Sequence, residues 1–418
     1  MNALTLNLQA SLGILVYVML ATFVSSRVKA IRWSLVLAAI AWQFAICWVL
    51  LRVPAITHAL SVLNQVVAAL SAATLSGTSF VFGYVGGAPP PFALENPERA
   101  VIFAFQVIAI IMVVSALSAV LWYWRILPAV IRSIAWIFKR TLGTDGPAGF
   151  AITANVFVGQ VEAPLLVRPF IARMSRYELL LLMTAGMTMI AGSMMVVYSA
   201  LLANQFSNLP TQLMTKSLMS IPASILFAHI MLPDDHASSE PATLERPYSS
   251  TMDAVTRGTT DGLHIWLNVM AILIVLIALV ALLNQGIGKL PWVLGAPLSL
   301  ERIAGWLFSP LAWLMGIPWA EALNAGSLLG IKTVLNEFLA YLKLVDMGPS
   351  AFSERTRLIV IYALCGFANF ASMGIQISGI AAMAPERRHD LNDLALRSLL
   401  GATLASCMSA AIVGIVAF

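Results

Sequence analysis

The chain has 418 residues, 60% of them hydrophobic and 10% charged, with a mean hydropathy of +0.89. Soluble globular domains carry roughly 25% charged residues, so this balance excludes that class and indicates a polytopic membrane protein. The net charge of +5 does not point to nucleic acid, because the basic residues sit in short clusters between apolar runs, where they orient spans in a bilayer.

Apolar runs of about 20 residues, each long enough to cross a membrane, recur from end to end. Eight spans are predicted, at 7–26, 33–51, 101–123, 178–202, 211–232, 264–284, 356–383 and 395–417. The first run has no basic residue before it and is followed by Arg27, Lys29 and Arg32. It therefore reads as a span and not as a secretory leader. No acidic residue occurs before Glu95. With the amino terminus outside, the first, third, fifth and seventh connections face the cytoplasm. They hold most of the Lys and Arg residues, including Arg125, Lys139, Arg140, Arg168, Arg173, Arg387 and Arg388. The positive-inside rule thus predicts both termini outside, on the periplasmic face of a bacterial inner membrane, although Lys343, Arg355 and Arg357 count mildly against it.

Between the spans lie five segments of other kinds. Residues 126–141 (ILPAVIRSIAWIFKRT) place cations among apolar residues at helical spacing, the pattern of a helix lying at the membrane surface. Residues 299–316, beginning with Glu301 and Arg302, mirror this on the opposite side. Segments 148–173 and 317–345 are apolar but interrupted by Gly or Pro, and they hold carboxylates: Glu162 in the first, Glu321 and Glu337 in the second. Both read as re-entrant helical hairpins, because irregular backbone at membrane depth is tolerated only inside protein or beside a watery cavity. Residues 234–262 form the one long hydrophilic linker. Its Asp, His and Glu residues read as a solvated cytoplasmic loop and not as a metal site. Cys47, Cys365 and Cys407 all fall in apolar runs and form neither a metal-type spacing nor a disulfide framework.

These pieces form an inverted repeat. A surface helix, a hairpin and two spans occupy 126–232, and a second such set occupies 299–418. The linker 233–263 and a span within 264–298 separate them, and 1–125 supplies three further spans. In each repeat the span after the hairpin is disturbed, at MIAGS (189–193) and at FANFAS (367–372). Paired interrupted segments in an inverted repeat point to a transporter with its site near the midplane.

The polar residues within these segments carry the chemistry. Gln160 and Glu162, two apart, would point to nearly opposite faces of an intact helix. A break between Gly159 and Pro164 lets both converge on one solute and frees backbone groups beside them. An intramembrane carboxylate is a functional-site hypothesis by default, and the plain alternative is an ion pair with Arg168. Asn336 and Glu337 form a second constellation, with a Lys332–Glu337 salt bridge as its plain alternative. Asn369 and Ser372 can share a helix face toward the same cavity, or serve as interhelical contacts. Phe367 is a candidate aromatic platform. Glu321 has no assignment.

At these residues the chain resembles the concentrative nucleoside transporter family. The matching stretches are GTSFVFG (77–83), NVFVGQVEAPLLVRPF (155–170), IAGS (190–193), NEFLAY (336–341), CGFANFASMGI (365–375) and MAPERR (383–388), collinear to the carboxyl end. The resemblance implies an all-α homotrimer of eight-span protomers with two re-entrant hairpins, working as an elevator-type transporter. It implies that Gln160 and Glu162 bind the nucleobase. Glu337, Asn369 and Ser372 would hold ribose hydroxyls, and Phe367 would line the pocket. The substrate would be a nucleoside of the uridine, cytidine or adenosine class, with no cofactor beyond the coupling ion.

Two positions depart from sodium-coupled members. Val161 stands where they carry threonine, and Met189 where they carry serine. Neither side chain supplies a hard oxygen ligand, which leaves Asn155 and the backbone carbonyls of Val158 and Ile190 at that cation site. The expected coupling ion is therefore a proton on Glu162 or Glu337 in preference to sodium, since burial favours the neutral form of a carboxylate. Met194, near the nucleobase side, bears on base preference. The reading is a nucleoside:cation symporter. A sodium symporter, an uncoupled facilitator and a binding-only receptor are its rivals. An intramembrane enzyme is remote, because no HExxH, P-loop or Ser-His-Asp set is evident.

Overall fold

The computed structural model describes residues 2–93, 102–144, 146–202, 206, 208–233, 248–290, 292–293 and 297–418. The amino-terminal part contains α1 (Ala3–Phe23), α2 (Trp33–Arg52), α3 (Pro54–Phe82), α4 (Phe103–Gln106) and α5 (Ile110–Tyr123). Next come α6 (Ile126–Leu142) and three short helices, α7 (Gly146–Ala154), α8 (Glu162–Leu165) and α9 (Arg168–Ile171). The middle of the chain holds α10 (Arg176–Thr188), α11 (Gly192–Leu201), α12 (Leu209–Met231) and α13 (Thr251–Ile287). The last part comprises α14 (Leu300–Leu314), α15 (Trp319–Val334), α16 (Glu337–Met347), α17 (Glu354–Leu364), α18 (Phe370–Met383) and α19 (Arg388–Ala417).

Among the described residues, eight helices are long and apolar enough to cross a membrane. They differ from the eight expected spans in two places. Residues 64–86, which begin within α3 and end just past it, join the set, although the sequence reading took only 77–83 there, as a motif. Residues 354–383 leave it, because they form two helices, α17 and α18, separated by irregular backbone at 365–369. The span at 178–202 is likewise two helices, α10 and α11, separated at Met189–Ala191. The disturbances read at MIAGS and FANFAS are thus real breaks in helical hydrogen bonding.

The hydrophilic linker is shorter than expected. Its residues 234–247 lie outside the described part, but from Thr251 the chain is already helical and runs unbroken into the apolar span as the 37-residue α13. Ser250 caps that helix, accepting from the Asp253 amide at 3.0 Å. Gly258 and Gly262 let α13 lie directly on α5. A Cβ at Gly258 would sit 2.8 Å from the Ala116 Cα, and one at Gly262 would sit 2.7 Å from the Met112 Cα. Polar sequence there marks one face of a packed helix and not a loop.

The core is built from α10, α12 and α19, which pack on one another. Within their apolar windows 83%, 89% and 78% of residues are buried, against 11% for α13 and 22% for α2, so the former are enclosed by the chain itself and the latter lie at its periphery. The surface helix α6 has the expected amphipathic face. Leu127, Ile131 and Phe138 are buried, while Arg132, Lys139 and Arg140 are exposed. The mirrored helix α14 instead packs closely along α15, at a bend of 118° between them. Gly305, Gly326 and Gly330 carry that contact, and a Cβ at Gly326 would sit 2.6 Å from the Ser309 amide nitrogen.

The two broken spans meet at their breaks. Gly366 has φ +140° and packs against the Thr188 carbonyl, and a Cβ there would also lie 3.1 Å from Met187 O. Both the backbone angle and the close approach require glycine. Gly366→Ala is expected to destabilise the protein by at least about 2 kcal/mol and to lower its thermal unfolding midpoint in detergent. An unchanged midpoint would mean that the two breaks are not packed this tightly.

Candidate transport site

A cavity of about 1000 Å³ opens at the breaks. One wall comes from the turn between α7 and α8 and from the start of α11. Phe157, Val158, Gly159, Gln160, Val161, Glu162, Ser193 and Met194 line it. A second wall comes from the starts of α16 and α18, with Asn336, Glu337, Phe367, Asn369 and Ser372. The facing wall belongs to α5 and α13, through Ser115, Ser118, Asp261 and Asn268.

On the first wall, α7 ends at Ala154 and helix resumes at Glu162. The intervening turn is tied to the broken span by the Gly192 amide, which donates to Phe157 O at 3.1 Å. Gly159 has a second use beyond breaking the helix: the Glu162 carboxylate folds over it and occupies the space a Cβ would need. Pro164 falls inside α8 and not at the break. Gln160 and Glu162 both face the cavity, as the interrupted helix was expected to allow. Among the described residues, no cation lies within ion-pair distance of Glu162, so the Arg168 pairing is absent.

On the second wall, two helices begin with asparagine caps. Asn336 Oδ1 accepts from the Leu339 amide at 2.8 Å, and Asn369 Oδ1 accepts from the Ser372 amide at 2.7 Å. Glu337 is thus the first residue of α16, where the helix dipole favours a negative charge. Its carboxylate is held from both sides: Tyr198 OH donates to Oε1 at 2.7 Å, and Asn369 Nδ2 donates to Oε2 at 3.0 Å. An ionised carboxylate has about four acceptor positions, so roughly two stay open toward a solute. Lys332 does not pair with Glu337. Its ammonium donates to Ala363 O at 2.7 Å.

At the remaining cation-site positions, Met189 and Ile190 are buried. Asn155 Nδ2 donates to Ala185 O at 3.0 Å, and its buried Oδ1 has no partner. Val161 lies against Gly379 of α18, with Cγ1 3.0 Å from where a Cβ would sit. Glu321 acquires a place outside the cavity. It accepts from Ser353 Oγ at 3.0 Å and ties α15 to the start of α17.

Tyr198 and the α5–α13 wall escaped the sequence reading. A tyrosine within an apolar run was the available signal, since a buried phenol needs a partner for its hydroxyl. Asp261 carried no distinct signal, because α13 reads as polar linker up to residue 262, and the signal for Asn268 was a side-chain amide within the apolar span 264–284.

Three family profiles match the chain: "Na+ dependent nucleoside transporter N-terminus" over residues 12–85, "Nucleoside recognition" over 104–205, and "Na+ dependent nucleoside transporter C-terminus" over 212–414. An uncharacterized transporter of Haemophilus influenzae is 36% identical, over 98% of this chain and 97% of its own. The nucleoside permease NupC of Helicobacter pylori is 32% identical, over 96% of both chains. The structure of CNTnw in an inward-facing substrate-bound state superposes with a TM-score of 0.88 at 34% identity, covering 98% of each chain. The chain belongs to the concentrative nucleoside transporter family.

Tyr198→Phe removes one of the two donors that hold Glu337 and leaves the ring in place. Uridine affinity is expected to fall about tenfold, as loss of a hydrogen bond to a charged group costs about 1.5 kcal/mol. Calorimetric titration of the purified variant measures this, and wild-type affinity would show that the phenol does not orient the carboxylate.

Proposed function

We propose that the protein takes up nucleosides across a bacterial inner membrane, driven by a coupled cation, with a proton favoured over sodium. The observation that carries this reading is the convergence of Gln160 and Glu162 with Glu337, Asn369 and Ser372 on one cavity between two broken spans. Gln160 and Glu162 accept and donate along the edge of a base. The open acceptor positions of Glu337, with Asn369 and Ser372, take the ribose hydroxyls. Phe367 and Met194 supply apolar surface beside the rings. A neutral solute rich in donors satisfies such a site, and a cavity of this size suits a small molecule.

The preference for a proton rests on Val161 and Met189, whose side chains offer no oxygen to sodium, and on Glu162, which has no cationic partner among the described residues. An inward-negative potential would contribute about 2.3 kcal/mol per transported charge per 100 mV. In this reading α5 and α13 belong to a fixed scaffold in a homotrimer. The repeats spanning 126–232 and 299–418 move as the carrier, elevator fashion, so that the cavity opens alternately to the two sides. Both termini are periplasmic, which requires an even number of crossings. If the α17–α18 pair crosses as one span, the count stays even when α3, which starts directly after α2, lies along the membrane face.

Uptake of labelled uridine and adenosine into proteoliposomes, under a sodium gradient, a proton gradient or neither, tests the proposal. Accumulation under the proton gradient alone is expected, with loss of that accumulation in Glu162→Gln. Accumulation under sodium alone would reverse the coupling assignment. Equilibration without accumulation would make the protein a facilitator, and absence of nucleoside flux would overturn the reading altogether.

A further inference from the structure

The first half of each broken span ends in carbonyl groups that have no next turn to bond. In both repeats a buried lysine meets one of them. Lys216 Nζ, from α12, donates to the carbonyl of Thr188, the last residue of α10. Lys332 Nζ, from α15, donates to the carbonyl of Ala363, in the last turn of α17. Lys216 is 0% exposed and Lys332 2%. Among the described residues, the one further hydrogen-bond partner of Lys216 is Ser406 Oγ, at 3.5 Å. Among the described residues no carboxylate lies within 4 Å of either ammonium.

A buried ammonium without a counter-ion is costly, and an apolar side chain of similar length would fill the same space. What compensates Lys216 is the negative end of the α10 dipole. In transporters with discontinuous helices, half-helix carboxyl ends and unwound carbonyls are where the coupling cation is held. Thr188 O directly precedes Met189 and Ile190, two of the positions expected to form a sodium site. The donors there fit sodium poorly. Asn155 Oδ1 is one free oxygen beside the backbone carbonyls of Val158 and Ile190, the Val161 and Met189 side chains supply none, and the Thr188 carbonyl is already engaged.

We propose that the Lys216 ammonium is a tethered cation that takes the electrostatic place of sodium at the first helix break, so that solute binding needs no sodium there. The inference rests on the transport reading. It deepens that reading by assigning the charge that stabilises the break to the chain itself. Protonated, the Lys216 side chain carries the same single positive charge as sodium, and it stays with the protein through every state of the cycle. Coupling must then run through another group.

Uridine binding to the purified full chain, measured by calorimetry in sodium chloride and in choline chloride, tests this on the wild type, Lys216→Met and Lys216→Ala. Size-exclusion chromatography reports whether each variant is folded. The wild type should bind equally in both salts. Lys216→Met keeps the stem and loses the charge, and should bind at least tenfold more weakly in both salts. Lys216→Ala should be equally weak in choline and recover in sodium, because the vacated space admits the ion. Wild-type affinity in Lys216→Met would overturn the proposal, as would a sodium requirement in the wild type. Weak binding by Lys216→Ala that sodium does not reverse would also overturn it, by making the lysine a packing group. If the wild type binds no nucleoside in either salt, the transport reading itself fails and this proposal with it.

Discussion

Everything at the centre of this molecule depends on pairing the backbone groups freed where two spans break. In an apolar surrounding an unpaired amide or carbonyl costs several kcal/mol, and water is not freely available to take it up. The structure meets this demand with specific groups. Gly192 N bonds Phe157 O, Asn155 bonds Ala185 O, and lysines from two neighbouring helices bond Thr188 O and Ala363 O. Asn336 and Asn369 cap the helices that restart. Each break is therefore held open by partners from other elements, and neither would persist in an isolated span.

The site follows from this arrangement. Once α16 and α18 start at caps facing the cavity, their amide ends point into it and favour the negative charge of Glu337. Tyr198 reaches that carboxylate from the opposite repeat, so the second half of α10–α11 orients a residue of the second hairpin. The hairpin turn at 155–161 is in turn anchored on the same broken span. The two repeats thus build one site jointly, and a change in either break moves donors on both sides of it. The α5–α13 wall lines the cavity without sharing these bonds, as the proposed elevator motion would require.

Much of this was legible in the chain. Runs of apolar residues register their own length against the bilayer, so most spans could be read directly. The breaks were visible because Gly, Ser, Asn and Pro interrupt otherwise continuous hydrophobic stretches. Glu162, Glu337 and Asn369 stood out because polar side chains in such runs need a reason. The misreadings have equally physical causes. Residues 354–383 have the composition of a span but not its continuity, because Gly366 and the Asn369 cap redirect the backbone. Residues 251–262 have the polarity of a loop, yet form the start of α13, because Gly258 and Gly262 pack on α5 and the charged face turns outward.

By itself, the sequence determined the membrane class, the two interruptions and the main polar residues of the cavity. These are local properties, set by composition and by what a single segment can hydrogen-bond on its own. Only the tertiary structure decided which partners those residues take. It gave Glu337 to Tyr198 and Asn369, withheld Arg168 from Glu162, and sent Lys332 and Lys216 to carbonyls in other helices. A lysine or tyrosine in an apolar run announces that it must be paired, but its partner lies tens to hundreds of residues away. The choice is made by how the helices cross, which no local pattern encodes.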